Sequence, residues 1–326
     1  MNSATRPLGI AALLLATSAW GSLFLVGKSV LGHIDPVWFT VLRYTLASVV
    51  FAVLLFARGN FPWRKLRQHA RRLGLLGFLG YGVFSVLVLV GLSHSLPSHG
   101  AVIMATMPLT TQLVRWAIDG ERPASSAFVA TPMALAGVLA VSGLLGHHES
   151  DAAATHATLL PDLVTLVGTL GWVAYSRGVA SLPGLDVIEY SALTALASWP
   201  LLLGGAILAT LAGVATVPTQ EDIGHVLPAL VYIGAVPSVM AVLAYNFGVR
   251  TLGVIAGTAF LNFVPVSALG MSTLLGAKPS LHELIGVAMV IAGLLIHTAT
   301  QQRRAAASAR QVAPAPRLCT TSDVRR

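Results

Sequence analysis

Apolar stretches of about 20 residues, enough to cross a hydrocarbon core as a helix, follow one another along almost the whole chain, separated by short clusters of Pro, Gly, Asp and Arg. They show no period-two alternation and are dominated by Ala and Leu. Backbone groups in lipid must be paired within each helix unless a barrel closes, so this pattern predicts helices. Ten such segments are read, near 8–27, 36–57, 73–92, 99–118, 125–145, 159–180, 187–210, 226–247, 254–275 and 281–299. The predicted fold is an all-α polytopic membrane protein with ten transmembrane helices.

The segments repeat. Pro97 to Gly100, Pro108, Gly120-Glu121 and Ala136-Gly137 recur as Gly253 to Gly257, Pro265, Ala277-Lys278 and Ala292-Gly293. An offset of 157 residues joins Pro108 to Pro265 and also places Gly91 on Gly248 and Gly100 on Gly257. A slightly shifted registration pairs Ala19-Trp20 with Gly171-Trp172 and Asp35 with Asp186. Five spans per half force the second half to start on the opposite side, so the two five-helix repeats are inverted, the usual sequence trace of a transporter. The divisions read are residues 1–7 as a cytoplasmic N-terminus, 8–145 as the first repeat, 146–158 as an external connection, 159–299 as the second repeat, and 300–326 as a basic, disordered cytoplasmic tail.

Composition agrees, with 55% hydrophobic and 10% charged residues and a mean hydropathy of +0.78. If the N-terminus is cytoplasmic, that side collects seventeen of the twenty Lys and Arg residues, among them Arg58, Arg64, Lys65, Arg67, Arg71, Arg72, Arg115, Arg177 and Arg250. The positive-inside rule then puts both termini in the cytoplasm and the chain in a cell (inner) membrane as a multi-pass protein. The net charge of +8 is mostly inner-leaflet charge and calls for no nucleic acid. Cys319 is the single cysteine, so there is no disulfide framework and no thiolate metal site.

Trp20-Gly21-Ser22 followed by Lys28, Asp35-Pro36 with Leu42-Arg43-Tyr44, the stretch from Pro97 to Leu109 ahead of Gly120-Glu121-Arg122, and Leu135 to Val138 resemble the first EamA domain of the drug/metabolite transporter superfamily. Gly168 to Trp172, Tyr245-Asn246 to Arg250 and the stretch from Ala256 to Val266 resemble the second. The likeness spans roughly residues 8 to 298. It implies ten helices and export of amino acids, other metabolites or drugs. One departure is that Ala277-Lys278-Pro279 stands where the first half has Gly120-Glu121-Arg122, so the acidic residue is missing from the second half.

Candidate site residues follow from chemistry out of place in lipid. Pro108 and Pro265 lie near the centres of spans four and nine, where each removes a helical hydrogen bond and displaces a carbonyl one turn back, at Met104 and Leu261. Broken backbone at that depth is tolerated where it lines a cavity, which suggests a substrate site there; plain structural kinks are the alternative. Trp20 is read in the outer part of span one and Trp172 toward the cytoplasmic part of span six, with Tyr175 on the face of Trp172. These aromatics would flank a substrate or close the two ends of its path, or else serve packing. Arg43, inside span two, costs about 2.5 to 3.5 kcal/mol on insertion scales and needs compensation, from a substrate carboxylate, from carbonyls of neighbouring helices or by snorkelling outward. Tyr81, Tyr245, Asn246 and Asn262 offer the few polar groups an apolar pocket uses for orientation. No Asp or Glu is read at the midplane, which leaves His99 as the candidate for proton coupling and disfavours a cation-specific pump.

Ser93-His94-Ser95 and His147-His148 lack the carboxylate partner or ligand spacing of an enzyme or metal site, and no phosphate-binding loop is present. A channel would want stronger charge patterning. The expectation is a secondary transporter without cofactors that exports small metabolites, most plausibly amino acids or related zwitterions, by alternating access, with a multidrug or other organic-solute exporter of the same fold as the alternative. Its partners are a small-molecule substrate and the lipid bilayer, and the pattern admits a homodimer.

Overall fold

Asp35 and Asp186, paired by the repeat, both start a helix. Asp35 accepts from the Val37 amide at 2.8 Å, and Pro36 presets the first turn of its helix. Asp186 forms a capping box with Glu189, each carboxylate taking the other residue's backbone N–H. The computed structural model describes residues 5–59, 61–94, 103–104, 106–122, 132–133, 135–137, 140, 152–276 and 278–312. Within them the helices are α1 (Thr5–Leu31), α2 (Pro36–Ala57), α3 (Trp63–Gly77), α4 (Phe84–Ser93), α5 (Met107–Asp119), α6 (Ala152–Ser181), α7 (Val187–Leu211), α8 (Gln220–Ala235), α9 (Ala241–Leu252), α10 (Val254–Phe260), α11 (Phe263–Leu274) and α12 (Leu281–Val312). Two π-helical segments, Phe78–Val83 and Val236–Met240, join α3 to α4 and α8 to α9.

Seven of these stretches are long and apolar enough to cross a membrane: Thr5–Gly27, Pro36–Ala57, Trp63–Gly91, Leu160–Ser181, Val187–Leu211, Gln220–Leu252 and Val254–Leu274. Ten were expected. Span four is represented by α5, which has 13 residues. Span five falls largely outside the described residues, and span ten appears as the shorter apolar stretch Glu283–Gly293 within α12. Two boundaries also shift. Residues 152–158, expected in a connection, already belong to α6, and α12 runs on to Val312, so residues 300–312 are helical rather than disordered. Both additions are rich in Ala, the strongest helix former.

The helices pack in corresponding pairs. α1 lies along α9 and α11, α4 along α6, and α2 along α7. The glycines matched at an offset of 157 mark these contacts. Gly91 on α4 meets α6, where an added Cβ would lie 2.7 Å from the Pro161 carbonyl oxygen and overlap Thr165. Gly248 on α9 meets α1, where a Cβ would lie 3.1 Å from the Gly9 carbonyl oxygen and overlap Leu13. Gly9 and Leu13 correspond to Pro161 and Thr165 in the registration that pairs the two tryptophans, one residue being removed from each interface by the same side-chain deletion. The π segments correspond as well, 79–83 falling on 236–240 at the same offset.

Each π segment has a local cause. Pro237 has no N–H to give the Ile233 carbonyl, and the Ser238 hydroxyl donates to it instead at 2.9 Å. In the first segment Gly80 admits the Tyr175 ring, a Cβ there lying 2.5 Å from that of Tyr175. The two predicted helix breaks are present as helix starts rather than kinks. Pro108 occupies the first turn of α5 after Thr106, and Pro265 the first turn of α11, where the Leu261 carbonyl accepts instead from Val264 at 3.0 Å. Gly253, at φ 91°, turns the chain between α9 and α10 in a conformation that favours glycine.

Candidate functional site

The π segments aim a set of aromatic and polar side chains at the junction of α1, α2, α6, α7 and α9. Trp20 on α1 and Trp172 on α6 meet edge to face with ring centroids 5.2 Å apart, and Tyr245 on α9 lies 5.3 Å from the first and 5.2 Å from the second. The tryptophans therefore form one cluster; of the sequence readings, closing opposite ends of a path does not fit this geometry, while flanking a substrate and packing both do. Phe84 and Tyr175 complete the surroundings of Trp172, at 5.2 and 5.1 Å.

A hydrogen-bonded network runs beneath these rings. The Tyr81 and Tyr175 hydroxyls are 2.6 Å apart, and Asn246 Nδ2 donates to Tyr175 at 2.6 Å and to the Ser191 hydroxyl at 2.8 Å. Tyr81 also lies 3.3 Å from Thr194 Oγ1, the Tyr190 hydroxyl donates to the Tyr175 carbonyl at 2.7 Å, and Ser176 and Tyr245 share a bond of 3.0 Å. All of these side chains are fully buried. Buried polar groups must find partners, and α7 supplies them through Ser191 and Thr194, whereas Ser198, next on the same face, donates to its own helix at the Ala195 carbonyl.

Arg43 joins the network from α2. Its Nη2 donates to the Tyr44 hydroxyl at 2.8 Å and to Ser85 at 3.0 Å, while the guanidinium carbon lies 4.6 Å from the Tyr44 ring centroid. Tyr44 in turn stacks on Tyr81 at 4.7 Å. Arg43 is 6% exposed, and no Asp or Glu is buried among the described residues. Its charge is thus held by hydroxyls and a ring, not by an acid.

Against this satisfied background a few buried atoms have no partner among the described residues. They are the donors Arg43 Nε, Trp172 Nε1, Arg250 Nε and Arg250 Nη2, the Ser48 hydroxyl, and the acceptors Asn246 Oδ1 and Asn262 Oδ1. Asn262 sits at the break between α10 and α11, just ahead of Phe263. Gly257, preceding that break on α10, brings its backbone to the Tyr245 hydroxyl, 3.4 Å from where a Cβ would stand.

Of the residues expected at the site, Trp20, Arg43, Tyr81, Trp172, Tyr175 and Tyr245 come together. Met104 packs half-buried against the same core, and Pro108 and Pro265 start α5 and α11. His99 lies outside the described residues. Tyr44, Ser85, Phe84, Tyr190, Ser191 and Thr194 were missed; the polar stripe on α7 was the available signal for the last two. A separate groove of about 220 Å³ between α2 and α7, lined by Thr45, Ser48, Val49, Ala52, Leu196 and Trp199, shares none of these side chains.

One end of the bundle is tied by charge. Arg58 pairs with Asp186 at 2.8 Å, Lys65 with Glu189 at 2.7 Å, and Arg177 with both oxygens of Asp119 at 2.6 and 2.8 Å. Arg72 donates to Ser181 at 2.9 Å, and Arg115 pairs with Glu121. Except for the last, each contact joins the first half of the chain to the second. Hydrogen bonds from Arg177 hold the Asp119 carboxyl below the usual carboxylate range. Burial pushes the Asp186 carboxyl up, but the Glu189 amide and Arg58 outweigh it and leave it lowered.

Among known proteins, an uncharacterized transporter of Bacillus subtilis, YrdR, is 24% identical over 91% of this chain and 92% of its own length. A protein of Streptantibioticus cattleyicolor named "Probable terminal-alkyne amino-acid exporter" is 28% identical over 91% of this chain and 96% of its own. A solved structure described only as a crystal structure of a protein superposes with a TM-score of 0.68 at 21% identity, covering 93% of this chain and 99% of the other; it shares the fold. The sequence model of the EamA-like transporter family matches twice, over residues 7–143 and 160–299. This chain is a multi-pass membrane protein and belongs to the EamA-like transporter family.

Proposed function

We propose that the protein exports amino acids or related zwitterionic metabolites by alternating access, as a ten-helix carrier of two inverted repeats. The bilayer would be a cell (inner) membrane, with both termini on the cytoplasmic side. The observation that carries the substrate class is that Arg43, Trp172 and Asn246 at the aromatic cluster, and Asn262 at the break between α10 and α11, are among the residues with buried unpartnered atoms. Arg43 Nε and Trp172 Nε1 offer donors to a carboxylate, and Asn246 Oδ1 and Asn262 Oδ1 offer acceptors to an ammonium group. Unsatisfied buried polar atoms are costly, each at about 1 to 3 kcal/mol. A ligand bearing both charges would relieve them together, whereas an organic cation would find Arg43 and, among the described residues, no buried acid. The Streptantibioticus relative, named for an amino-acid substrate, supports the same class.

The geometry also supports a division between a fixed and a moving contact. The ion pairs of Asp119 with Arg177 and of Lys65 with Glu189 hold the two halves together at one end, and surface pairs of this kind are worth at most about 1 kcal/mol each. Ties that weak can be exchanged within a transport cycle. The test is uptake of a labelled amino-acid panel into proteoliposomes, with and without an imposed pH gradient. Saturable uptake of at least one amino acid is expected, and gradient dependence would direct attention to His99. Uptake of organic cations with no response to any amino acid would replace this reading with the multidrug one.

A further inference from the structure

Helix α3 sorts its cations by face. Lys65 and Arg72, seven residues apart, turn toward the second half of the chain and are engaged by Glu189 and Ser181. Leu73 behind them is fully buried, and Gly74 brings the helix against α7, where a Cβ would stand 3.2 Å from the Ala197 carbonyl oxygen. Arg64, Arg67 and Arg71, at spacings of three and four, occupy another face and are exposed. No hydrogen bond or ion pair engages them among the described residues. Beside them stands an aromatic group: Phe61 lies 5.0 Å from Phe56 and 4.3 Å from Trp63, with Phe56 59% and Trp63 58% exposed. Basic side chains next to exposed aromatics, at the point where a helix enters the apolar span Trp63–Gly91, match the layering of a bilayer interface. Rings sit at headgroup level there, and cations meet phosphate.

We propose that the Arg64, Arg67 and Arg71 face of α3, with Phe56, Phe61 and Trp63, is a docking surface for anionic phospholipid headgroups, resting on the proposed orientation that turns this end toward the inner leaflet. The occupant is a lipid rather than a soluble anion because the aromatic group adjoins the cations and needs an apolar phase. The two faces of one short helix then connect the bilayer surface to the Lys65–Glu189 tie between the halves. Each cation near an anionic surface strengthens binding roughly fivefold.

The experiment places the full-length protein in phosphatidylcholine nanodiscs with increasing palmitoyl-oleoyl phosphatidylglycerol and follows retained phosphatidylglycerol by native mass spectrometry. Nanodiscs present both leaflets, so the result does not depend on orientation, which cysteine labelling at Arg67→Cys in a Cys319→Ala background in cells tests separately. The variant R64Q/R67Q/R71Q is expected to weaken retention by about a hundredfold, whereas R64K/R67K/R71K stays within a few fold of wild type and shows that the fold survives. Removing the same charge elsewhere, in R303Q/R304Q/R310Q, should leave retention unchanged, and glycerol phosphate in solution should not compete. Retention in R64Q/R67Q/R71Q within twofold of wild type, equal losses in both glutamine variants, or displacement by glycerol phosphate would overturn the proposal.

Discussion

Replacing Arg43 by methionine separates a structural role from a substrate role. A charged residue at the centre of a spanning helix costs about 2.5 to 3.5 kcal/mol on insertion scales. Against this stand the two bonds from Nη2 to Tyr44 and Ser85, at roughly 1.5 kcal/mol each for a charged donor. The ring contact with Tyr44 at 4.6 Å adds about 0.5 to 2 kcal/mol. The opposing contributions cancel to within about 1 or 2 kcal/mol, so Arg43→Met should change stability little, its thioether chain filling much of the same volume. Transport should respond differently. If Nε completes its bonding with a substrate carboxylate, loss of one charge-assisted bond of about 1.5 to 3 kcal/mol weakens substrate affinity roughly ten- to hundredfold. Detergent-denaturant unfolding reads the first quantity and concentration-dependent uptake in proteoliposomes the second. A loss of stability beyond about 3 kcal/mol with unchanged apparent affinity in the protein that still folds would show that Arg43 holds α2 to α4 and nothing more.

Three further outcomes follow from particular contacts. Gly77→Ala pushes a Cβ into the Thr194 carbonyl and within 2.7 Å of Ser198 Oγ and should destabilise by about 1 to 3 kcal/mol, whereas Gly204→Ala, with nothing within 4 Å, should be neutral or stabilising by up to about 1 kcal/mol; thermal unfolding in detergent compares the two. The folded-state pKa of Asp119 is depressed by Arg177, so the pair's contribution is present above the ordinary carboxylate pKa and is lost as pH falls through the depressed value. The distance between spin labels placed on α5 and α6 at that end should therefore be constant from about pH 5 to 8 and rise only below about pH 4, and a rise near pH 6 would mean that another group governs the closure. Trp20→Phe removes a bond from Nε1 to the Pro237 carbonyl at 2.9 Å and should cost about 1 kcal/mol. Trp172→Phe removes a donor that meets no well-formed hydrogen bond and interacts only weakly with the neighbouring Tyr245 hydroxyl, and should cost less stability while reducing substrate affinity, as equilibrium binding of the transported amino acid would show.

Much of this arrangement was legible because it depends on backbone constraints that sequence states directly. Pro108 and Pro265 announce breaks through local chemistry, and the repeat that pairs Asp35 with Asp186 and Gly91 with Gly248 lands on two helix starts and two close helix contacts, although the sequence was read only for the pairing. The convergence of the tryptophans was not legible from span ends alone. Trp20 and Trp172 are each displaced by about 4 Å from the middle of their expected spans at 1.5 Å per residue, in opposite directions, and two indoles on neighbouring helices reach across that separation. Ser85 was missed because a short hydroxyl in a spanning helix usually bonds the preceding turn, as Thr40 does with Pro36 at 2.9 Å, and Tyr44 because an aromatic next to Arg43 in sequence points to a different part of the helix surface unless its long side chain turns back. Only tertiary packing shows that these two serve Arg43 instead. The helical extensions at 152–158 and 300–312 were missed because their polar composition signals no span, while helix propensity alone sufficed to form them.

The two halves share a backbone plan but not a chemistry, and that difference bears on how one site can serve a carrier. Glycine contacts and π segments recur at corresponding positions, so both halves give the central helices the same freedom to pack closely and to carry an extra residue in a turn. The side chains placed on this plan diverge. Tyr81 in the first π segment corresponds at the same offset to Ser238 in the second; the tyrosine reaches across to Tyr175, and the serine only repairs its own helix. The Trp20 indole is engaged by the Pro237 carbonyl, whose counterpart in the first half is Gly80, yet the Trp172 indole makes no such bond. A symmetric pair of sites would bind a substrate in two equivalent orientations, whereas under the proposed function Arg43 and Trp172 on one set of helices and Asn246 and Asn262 on another would offer a zwitterion unlike partners for its unlike ends. Under the proposed function, the repeat supplies the symmetric framework that can rock, and the divergence of its side chains supplies the direction in which the substrate is held.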